Sequence, residues 1–290
     1  IPLPDLDGRV WRILSALLVR RWLEERAPHA ALLRRRMEAD LDCRGGGMAR
    51  IRAIQDELRR LPFRDLDPSF LGSVYERYLA SELRIGRDGE PVLRSAGRRR
   101  VGGAYYTPPP VVNYILARTL AARVREADRD QVTGIAVLDP ACGAGSFLRA
   151  AAAVLEGRYR ELAEEDEIDV HRAIMERHLY GVDLDPEAVE VARRILLLRA
   201  AAAGSDTAAF PRNIRPGNAL VERSLEGAVR PFRWEDEFPA VLARGGFDVI
   251  VGNPPWVSFG LRGAERCGQA VDAYLRSAYP NSAEYKLSVY

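Results

Sequence analysis

From residue 135 onward, short apolar runs alternate with stretches of helical periodicity, and no other feature of the chain constrains its fold as much. The pattern predicts strands at Ile135 to Leu138, Leu179 to Val182, Asn213 to Arg215 and Asp248 to Val251. It predicts helices at Phe147 to Glu164, Val170 to Arg177, Pro186 to Ala203 and Phe238 to Arg244. Parallel neighbours need a crossover, usually a helix, so strand and helix in alternation imply a doubly wound parallel sheet.

The first part of the chain reads differently. Val10, Trp11, Leu14, Leu17, Leu18 and Trp22 recur at three- and four-residue spacing, which marks an amphipathic helix over Gly8 to Arg26. Similar patterns follow at Ala30 to Leu41, Met48 to Leu61 and Ser69 to Leu83, with Gly45-Gly46-Gly47 as a breaker. Asp88-Gly89 predicts a small hairpin between Leu83 and Arg94. After the basic run Arg98-Arg99-Arg100, the loop Gly102 to Pro110 leads to a predicted helix over Val111 to Ala122, with Thr107 as its N-cap. The predicted organisation is a helical domain over 1–84, a hairpin and basic linker over 85–103, and an α/β domain over 104–290.

Composition bounds the function classes. A chain of 290 residues with 47% hydrophobic content can bury a sizeable core. No apolar run approaches a membrane span and no secretory leader pattern is present, which predicts a cytoplasmic protein with no membrane partner. Cys43, Cys142 and Cys267 lie far apart without CxxC spacing, which argues against a disulfide framework and against a zinc site. Residues 1–104 carry 21 Arg against 15 acidic residues, whereas the rest carries 22 basic against 26 acidic, and Lys286 is the only lysine. The chain opens without Met and stops inside the apolar-periodic segment Tyr285 to Tyr290, which predicts that it is part of a longer protein.

Chemistry is expected where the predicted strands end, because ligands of open parallel sheets bind beyond the carboxyl ends of the strands. The first strand runs into Asp139-Pro140-Ala141-Cys142-Gly143-Ala144-Gly145-Ser146-Phe147. Gly143 and Gly145 let backbone approach a ligand closely, but there is no Gly-Lys-Ser/Thr and no full GxGxxG, so a phosphate cradle is disfavoured. The second strand places Asp183 at its tip, where a carboxylate can accept both hydroxyls of a ribose; Asp185, followed by Pro186, suits the cap of the next helix. Gly217-Asn218-Ala219-Leu220 is either a turn or an acceptor for an amino edge. The last strand stops at Asn253-Pro254-Pro255-Trp256, where two prolines fix φ and remove two donors. The Asn253 amide oxygen and a free proline carbonyl can converge there on one amino group beside an aromatic ring.

Taken in order, G-A-Y-Y-T-P, D-P-A-C-G-A-G-S-F, G-V-D-L-D-P, G-N-A-L and N-P-P-W resemble S-adenosylmethionine-dependent DNA methyltransferases acting on the adenine amino group. The motif order is similar to the gamma subgroup, and Phe70-Leu71-Gly72-Ser73-Val74-Tyr75-Glu76 resembles a helix of fused restriction-modification enzymes and related phage-defence methyltransferases. The resemblance implies a Rossmann-like class I methyltransferase sheet, incomplete on its C-terminal side, preceded by the helical N-terminal domain. Tyr106, Thr107 and Pro108 would border the methionine part of S-adenosylmethionine, and Asp139, Pro140, Ala141, Cys142, Gly143, Gly145, Ser146 and Phe147 would line its site. Asp183 would hold the ribose, Asn218 and Ala219 the adenine edge, and Asn253, Pro254, Pro255 and Trp256 would form the catalytic loop. The implied partner is double-stranded DNA with a flipped adenine, read by a target-recognition domain beyond Tyr290; no metal is implied. Trp256 stands where tyrosine is more usual and Asn218 where aspartate is, and the 44-residue step from Asp139 to Asp183 is long. Amino groups of RNA, glutamine amides of proteins and a noncatalytic binding role are the alternatives.

Overall fold

The computed structural model describes residues 4–31, 33, 35, 37, 48–79, 81–85, 91–95, 107–162, 169–205, 211–225, 230–254, 256–258, 269–280 and 287–289. Among the described residues the first continuous helices are α1 (Pro4–Arg26), α2 (Met48–Arg59) and α3 (Phe70–Leu79), and Ala31, Leu33, Arg35 and Met37, inside the predicted helix Ala30 to Leu41, are helical as well. The apolar stripe of α1 is buried through Trp11, Leu17, Leu18 and Trp22. Trp22 Nε1 donates to the Leu66 carbonyl at 2.8 Å, so the indole N–H is satisfied inside the core.

Helix α3 stops at Leu79, short of the predicted Leu83, and the chain enters a hairpin of β1 (Ser81–Ile85) and β2 (Pro91–Ser95). Five paired positions, from Ser81 opposite Ser95 to Ile85 opposite Pro91, take the backbone groups that another helical turn would have used. The predicted helix over Val111 to Ala122 is two helices, α4 (Pro109–Arg118) and α5 (Leu120–Val124). They part at Thr119, whose φ of −115° and ψ of −90° are not helical and whose hydroxyl donates to the Ile115 carbonyl at 2.8 Å. Thr107 does not cap α4. Pro108 holds that position without a side-chain hydrogen bond, because Pro109 begins the helix and its absent N–H is one that needs no partner there. A short helix, α6 (Arg129–Gly134), is closed at its start by a reciprocal capping box between Asp128 and Gln131.

The α/β part follows as β3 (Val137–Asp139), α7 (Ser146–Glu161), α8 (Val170–Ala173, continued as a π-helical turn Ile174–His178), β4 (Leu179–Asp183), α9 (Pro186–Ala202) and β5 (Ile214–Pro216). Then come α10 (Trp234–Glu237), α11 (Pro239–Ala243), β6 (Val249–Ile250), β7 (Trp256–Ser258), α12 (Gln269–Ala278) and β8 (Leu287–Val289). Four of the strands form one parallel sheet in the order β5-β4-β3-β6, as the alternation of strand and helix predicts. Val137 pairs with Leu179 and Val249, and Asp183 with Pro216. A separate antiparallel pair sets Trp256 opposite Val289.

Alternation along the strands divides two cores. Val137, Leu179 and Ile214 face the larger one, shared with α7, α9 and the buried residues of α1 and α3. Ala136, Leu138, Tyr180 and Val182 face a smaller aromatic one with Phe232, Phe238 and Val241. Strand β6 stands at one end of the described sheet, and Ile250 on it is 62% exposed. Among the described residues no helix is long and apolar enough to cross a membrane.

Candidate active site

The strand order reverses at β3: the next two strands, β4 and β5, lie on one side of it, and β6 lies on the other. This switch point, beyond the carboxyl ends of β3 and β6, is the crevice position where open α/β sheets take ligands. Asp139, at the tip of β3, is 1% exposed, and its Oδ1 accepts from the Ala141 N–H at 3.1 Å. Burial pushes its carboxyl up to about 8; the nearby Asp183 charge adds to the rise and the Ala141 N–H opposes it. The loop that follows is tied to the neighbouring strand, since the Cys142 N–H donates to the Val182 carbonyl at 2.9 Å.

Gly143 and Gly145 both lie in the left-handed region, at φ +50° and +84°, but for different purposes. A β-carbon on Gly145 would lie 2.9 Å from the Ala192 β-carbon, so this glycine lets α7 and α9 approach each other. A β-carbon on Gly143 would meet no atom within 4 Å. Gly143 thus presents bare backbone to open space, and its N–H points at Asp183, whose Oδ2 accepts it at 2.7 Å.

Asp183 ends β4 and binds the two loops together, because its other oxygen accepts the Asp185 N–H at 2.9 Å. Burial raises its carboxyl, partly offset by those two N–H donors. Asp185 is the N-cap of α9: its Oδ1 accepts from the Glu187 N–H at 2.9 Å, and its Oδ2 accepts from the Tyr75 hydroxyl on α3. Between the two acids, Leu184 is 49% exposed at the rim of the crevice.

Beyond β5, Gly217 donates to the Asp183 carbonyl at 2.8 Å, and a β-carbon there would lie 2.3 Å from Phe232, so no other residue fits without displacement. Asn218 forms a turn. Its N–H donates to the Arg230 carbonyl at 2.7 Å, and its Oδ1 accepts from the Leu220 N–H at 3.1 Å. Beyond β6, the Val251 N–H donates to the Leu138 carbonyl at 2.9 Å, and Gly252 passes directly over Asp139. Asn253 and Pro254 follow, both half-buried. The crevice thus combines two carboxyl groups, an open glycine backbone, an apolar rim residue and an amide at a strand end. Such a set can receive a ligand bearing hydroxyl and amino donors. Among the described residues no group of three His, Cys, Asp or Glu side chains could hold a metal ion.

Part of this crevice lies in a segment that resembles a known family. Residues 177–290 match the Eco57I restriction-modification methylase family. The matched segment contains the ends of β4, β5 and β6, and the glycine loop after β3 precedes it. Over 227 residues the chain is 30% identical to the adenine-specific methyltransferase PglX of Streptomyces coelicolor, covering 67% of this chain and 17% of that protein. It is 26% identical over 215 residues to the type II restriction enzyme and methyltransferase RM.Eco57I of Escherichia coli, covering 65% of this chain and 21% of the relative. The chain therefore spans about one fifth of these relatives' length or less. Two solved structures share its fold at 18% identity: the type IIL restriction-modification enzyme MmeI in complex with DNA and the DrdV-DNA complex. The TM-scores are 0.53 and 0.52, with 80% and 95% of this chain covered and 31% and 26% of those chains.

The residues singled out from the sequence fall into distinct settings. Pro140, Ala141, Gly143 and Ser146 are partly exposed around the crevice, whereas Cys142 and Phe147 are buried in the main core. Thr107 is buried ahead of α4, and Ala219 lends its carbonyl to Trp234 Nε1 at 3.2 Å. Tyr106, Pro255, the side chain of Trp256 and the basic run Arg98 to Arg100 lie outside the described residues. Three residues beside the crevice have no role assigned from the sequence: Gly252, Leu184 and Tyr75, although the last two lie inside the quoted segments G-V-D-L-D-P and Phe70 to Glu76. Gly252 directly precedes Asn253, and adjacency to that motif is its cue.

Proposed function

We propose that this chain is the cofactor-binding and methyl-transfer part of an enzyme that methylates the exocyclic amino group of adenine in DNA, using S-adenosylmethionine, within a restriction-modification or phage-defence system. The observation that carries the reading is the meeting of three strand ends: Asp183 accepts the Gly143 N–H, and Gly252, just before Asn253, lies against Asp139. Donor site and acceptor loop are thereby held side by side.

The residues present fit the cofactor. Gly143 leaves room where a side chain would intrude, and Asp183 keeps lone pairs for a ribose diol after its two backbone donors are counted. Leu184, exposed at the rim, suits a purine face. Asp139, Ala141 and Gly145 shape the loop, Thr107 and Pro108 stand ahead of α4, and Asn218 with Ala219 shapes the loop beyond β5. S-adenosylmethionine supplies an activated methyl group on a sulfonium centre.

The chain's own part is positioning. The adenine amino lone pair is delocalised into the ring and is a poor nucleophile. With its two hydrogens accepted by the Asn253 amide oxygen and the Pro254 carbonyl, the nitrogen is drawn towards tetrahedral geometry and its lone pair is freed for attack. A paired base must first leave the duplex at a cost of roughly a few kcal/mol, which stacking on Trp256 offsets by about 1 to 3 kcal/mol. Adenine as the target is supported by the name of PglX, and DNA as the substrate by the two DNA complexes that share the fold. A DNA-reading domain is expected outside this chain.

The test is transfer of labelled methyl from S-adenosylmethionine by the intact protein. Label is expected in duplex DNA, at the adenine amino group, and Asn253→Ala is expected to lower the rate at least ~100-fold. Label in RNA or in protein with none in DNA would overturn the choice of acceptor.

A further inference from the structure

The Tyr75 hydroxyl donates to Asp185, a contact that spans 110 residues of sequence and joins the N-terminal helices to the tip of β4. Tyr75 is 3% exposed, and its ring packs on Trp11 of α1 with centroids 4.8 Å apart. Burial, and after it the hydrogen bond to Asp185, raises the tyrosine pKa far above its ordinary value, so the hydroxyl keeps its proton and remains a donor. Asp185 in turn donates its own N–H to Asp183 Oδ1, and the other Asp183 oxygen holds the Gly143 N–H. One turn earlier on the same helix, a β-carbon on Gly72 would stand 3.6 Å from the β-carbon of Ala144, in the glycine loop, and 3.4 Å from Ile195 of α9. Helix α3 therefore touches the loops after both β3 and β4, the two that carry the proposed cofactor site.

We propose that Tyr75 is a positioning residue for that site: through Asp185 it fixes the orientation in which Asp183 and the Gly143 backbone receive the cofactor. The proposal rests on the S-adenosylmethionine reading above. Tyr75 itself touches neither substrate nor cofactor. Without its hydroxyl, Asp185 keeps the α9 cap through Oδ1 but is no longer held from the other side, which loosens the residue whose backbone N–H orients the Asp183 carboxylate.

Calorimetric titration of the full chain with S-adenosylmethionine tests this, comparing wild type, Tyr75→Phe, Asp185→Asn and a control, Tyr159→Phe. The control removes another buried hydroxyl, the one bonded to His178, from a different part of the fold. Tyr75→Phe is expected to raise Kd about 5- to 20-fold. It is also expected to speed amide exchange in segments 141–145 and 183–187, whereas Tyr159→Phe leaves Kd within about twofold at a similar loss of Tm. Asp185→Asn reaches the same contact from its other side, and the double variant should bind no more weakly than the worse single one. Wild-type binding that Tyr75→Phe leaves within twofold, or that Tyr159→Phe weakens equally, would overturn the positioning role alone. No binding by the folded wild type would overturn the cofactor reading and the positioning role with it.

Discussion

Gly252 lies so close over Asp139 that a β-carbon at position 252 would stand 2.6 Å from the Asp139 Oδ1 and 3.3 Å from its Cγ. This contact joins the tip of the first strand of the sheet to the residue before Asn253, and it exists only because position 252 has no side chain. Gly252→Ala must either push Asp139 aside or lift the 252–254 backbone. Overpacking of this kind costs about 1 to 3 kcal/mol. Thermal unfolding should register that loss, and methyl transfer should fall by more than the change in folded fraction, because the displaced segment leads into Asn253. Unchanged stability and unchanged transfer would show that the contact does not set the spacing of the two loops.

Asp139 has a pH signature of its own. Its carboxyl is raised by burial from 3.8 to about 8, so across that window the folded state holds a proton that the unfolded chain has released. Stability then falls as pH rises. The favourable contribution is complete below about 3.8 and gone above about 8. Asp139→Asn keeps an oxygen for the Ala141 N–H but cannot ionise. It should stabilise the unliganded protein more at pH 8 than at pH 5, by up to about 1.4 kcal/mol for each pH unit between them. Denaturant unfolding at both values checks this; an equal effect at the two would mean that the buried acid titrates normally.

How far the sequence reveals this architecture depends on the range of the interactions. The strands ending in Asp139 and Asp183 and the run at Val249-Ile250 are visible because apolar runs bounded by turn residues are local signals. Asp185 is legible as a cap for the same reason, being followed by a proline at the first helical position. Thr119 is not, since a helix break made by a threonine back-bond has no glycine or proline to announce it. The early end of α3 escapes periodicity because the competing ladder partners lie ten or more residues further on. Tyr75 is visible as a member of the Phe70 to Glu76 segment, but its partner is 110 residues away and nothing local reveals that contact. Asn218 shows the converse limit, as a Gly-Asn pair supports both a turn and a ligand contact, and the side-chain oxygen here serves the turn.

The base of the sheet carries a second pH-sensitive group. His178 is fully buried; its Nδ1 lies 2.7 Å from the Ile135 carbonyl and its Nε2 2.7 Å from the Tyr159 hydroxyl. A neutral ring with the proton on Nδ1 satisfies both contacts, donating to the carbonyl and accepting from the hydroxyl. Burial lowers its pKa below 6.5, so on acidification the unfolded chain takes up a proton that the folded state resists. This contribution is complete above about 6.5 and is lost as pH falls towards the folded-state value, at up to about 1.4 kcal/mol per pH unit. His178→Gln should cost stability at pH 7.5 yet flatten the decline between pH 6.5 and 5. Parallel pH profiles for the two proteins would show that His178 is not the group responsible.

The two glycines of the loop after β3 offer the sharpest separation of folding from binding. Gly145→Ala meets a left-handed backbone at φ +84° and an Ala192 β-carbon 2.9 Å away, so strain and overpacking act together, at about 2 to 4 kcal/mol. Gly143→Ala meets only the backbone penalty at φ +50°, about 1 to 2 kcal/mol, because nothing stands within 4 Å of the added methyl. That methyl would project into the space assigned to the cofactor. Gly143→Ala should therefore unfold at a temperature nearer to wild type than Gly145→Ala, yet bind S-adenosylmethionine at least ~10-fold more weakly than wild type. Melting curves and calorimetric titrations of both variants decide it: tight binding by Gly143→Ala would mean that the open space above this glycine is not where the cofactor sits.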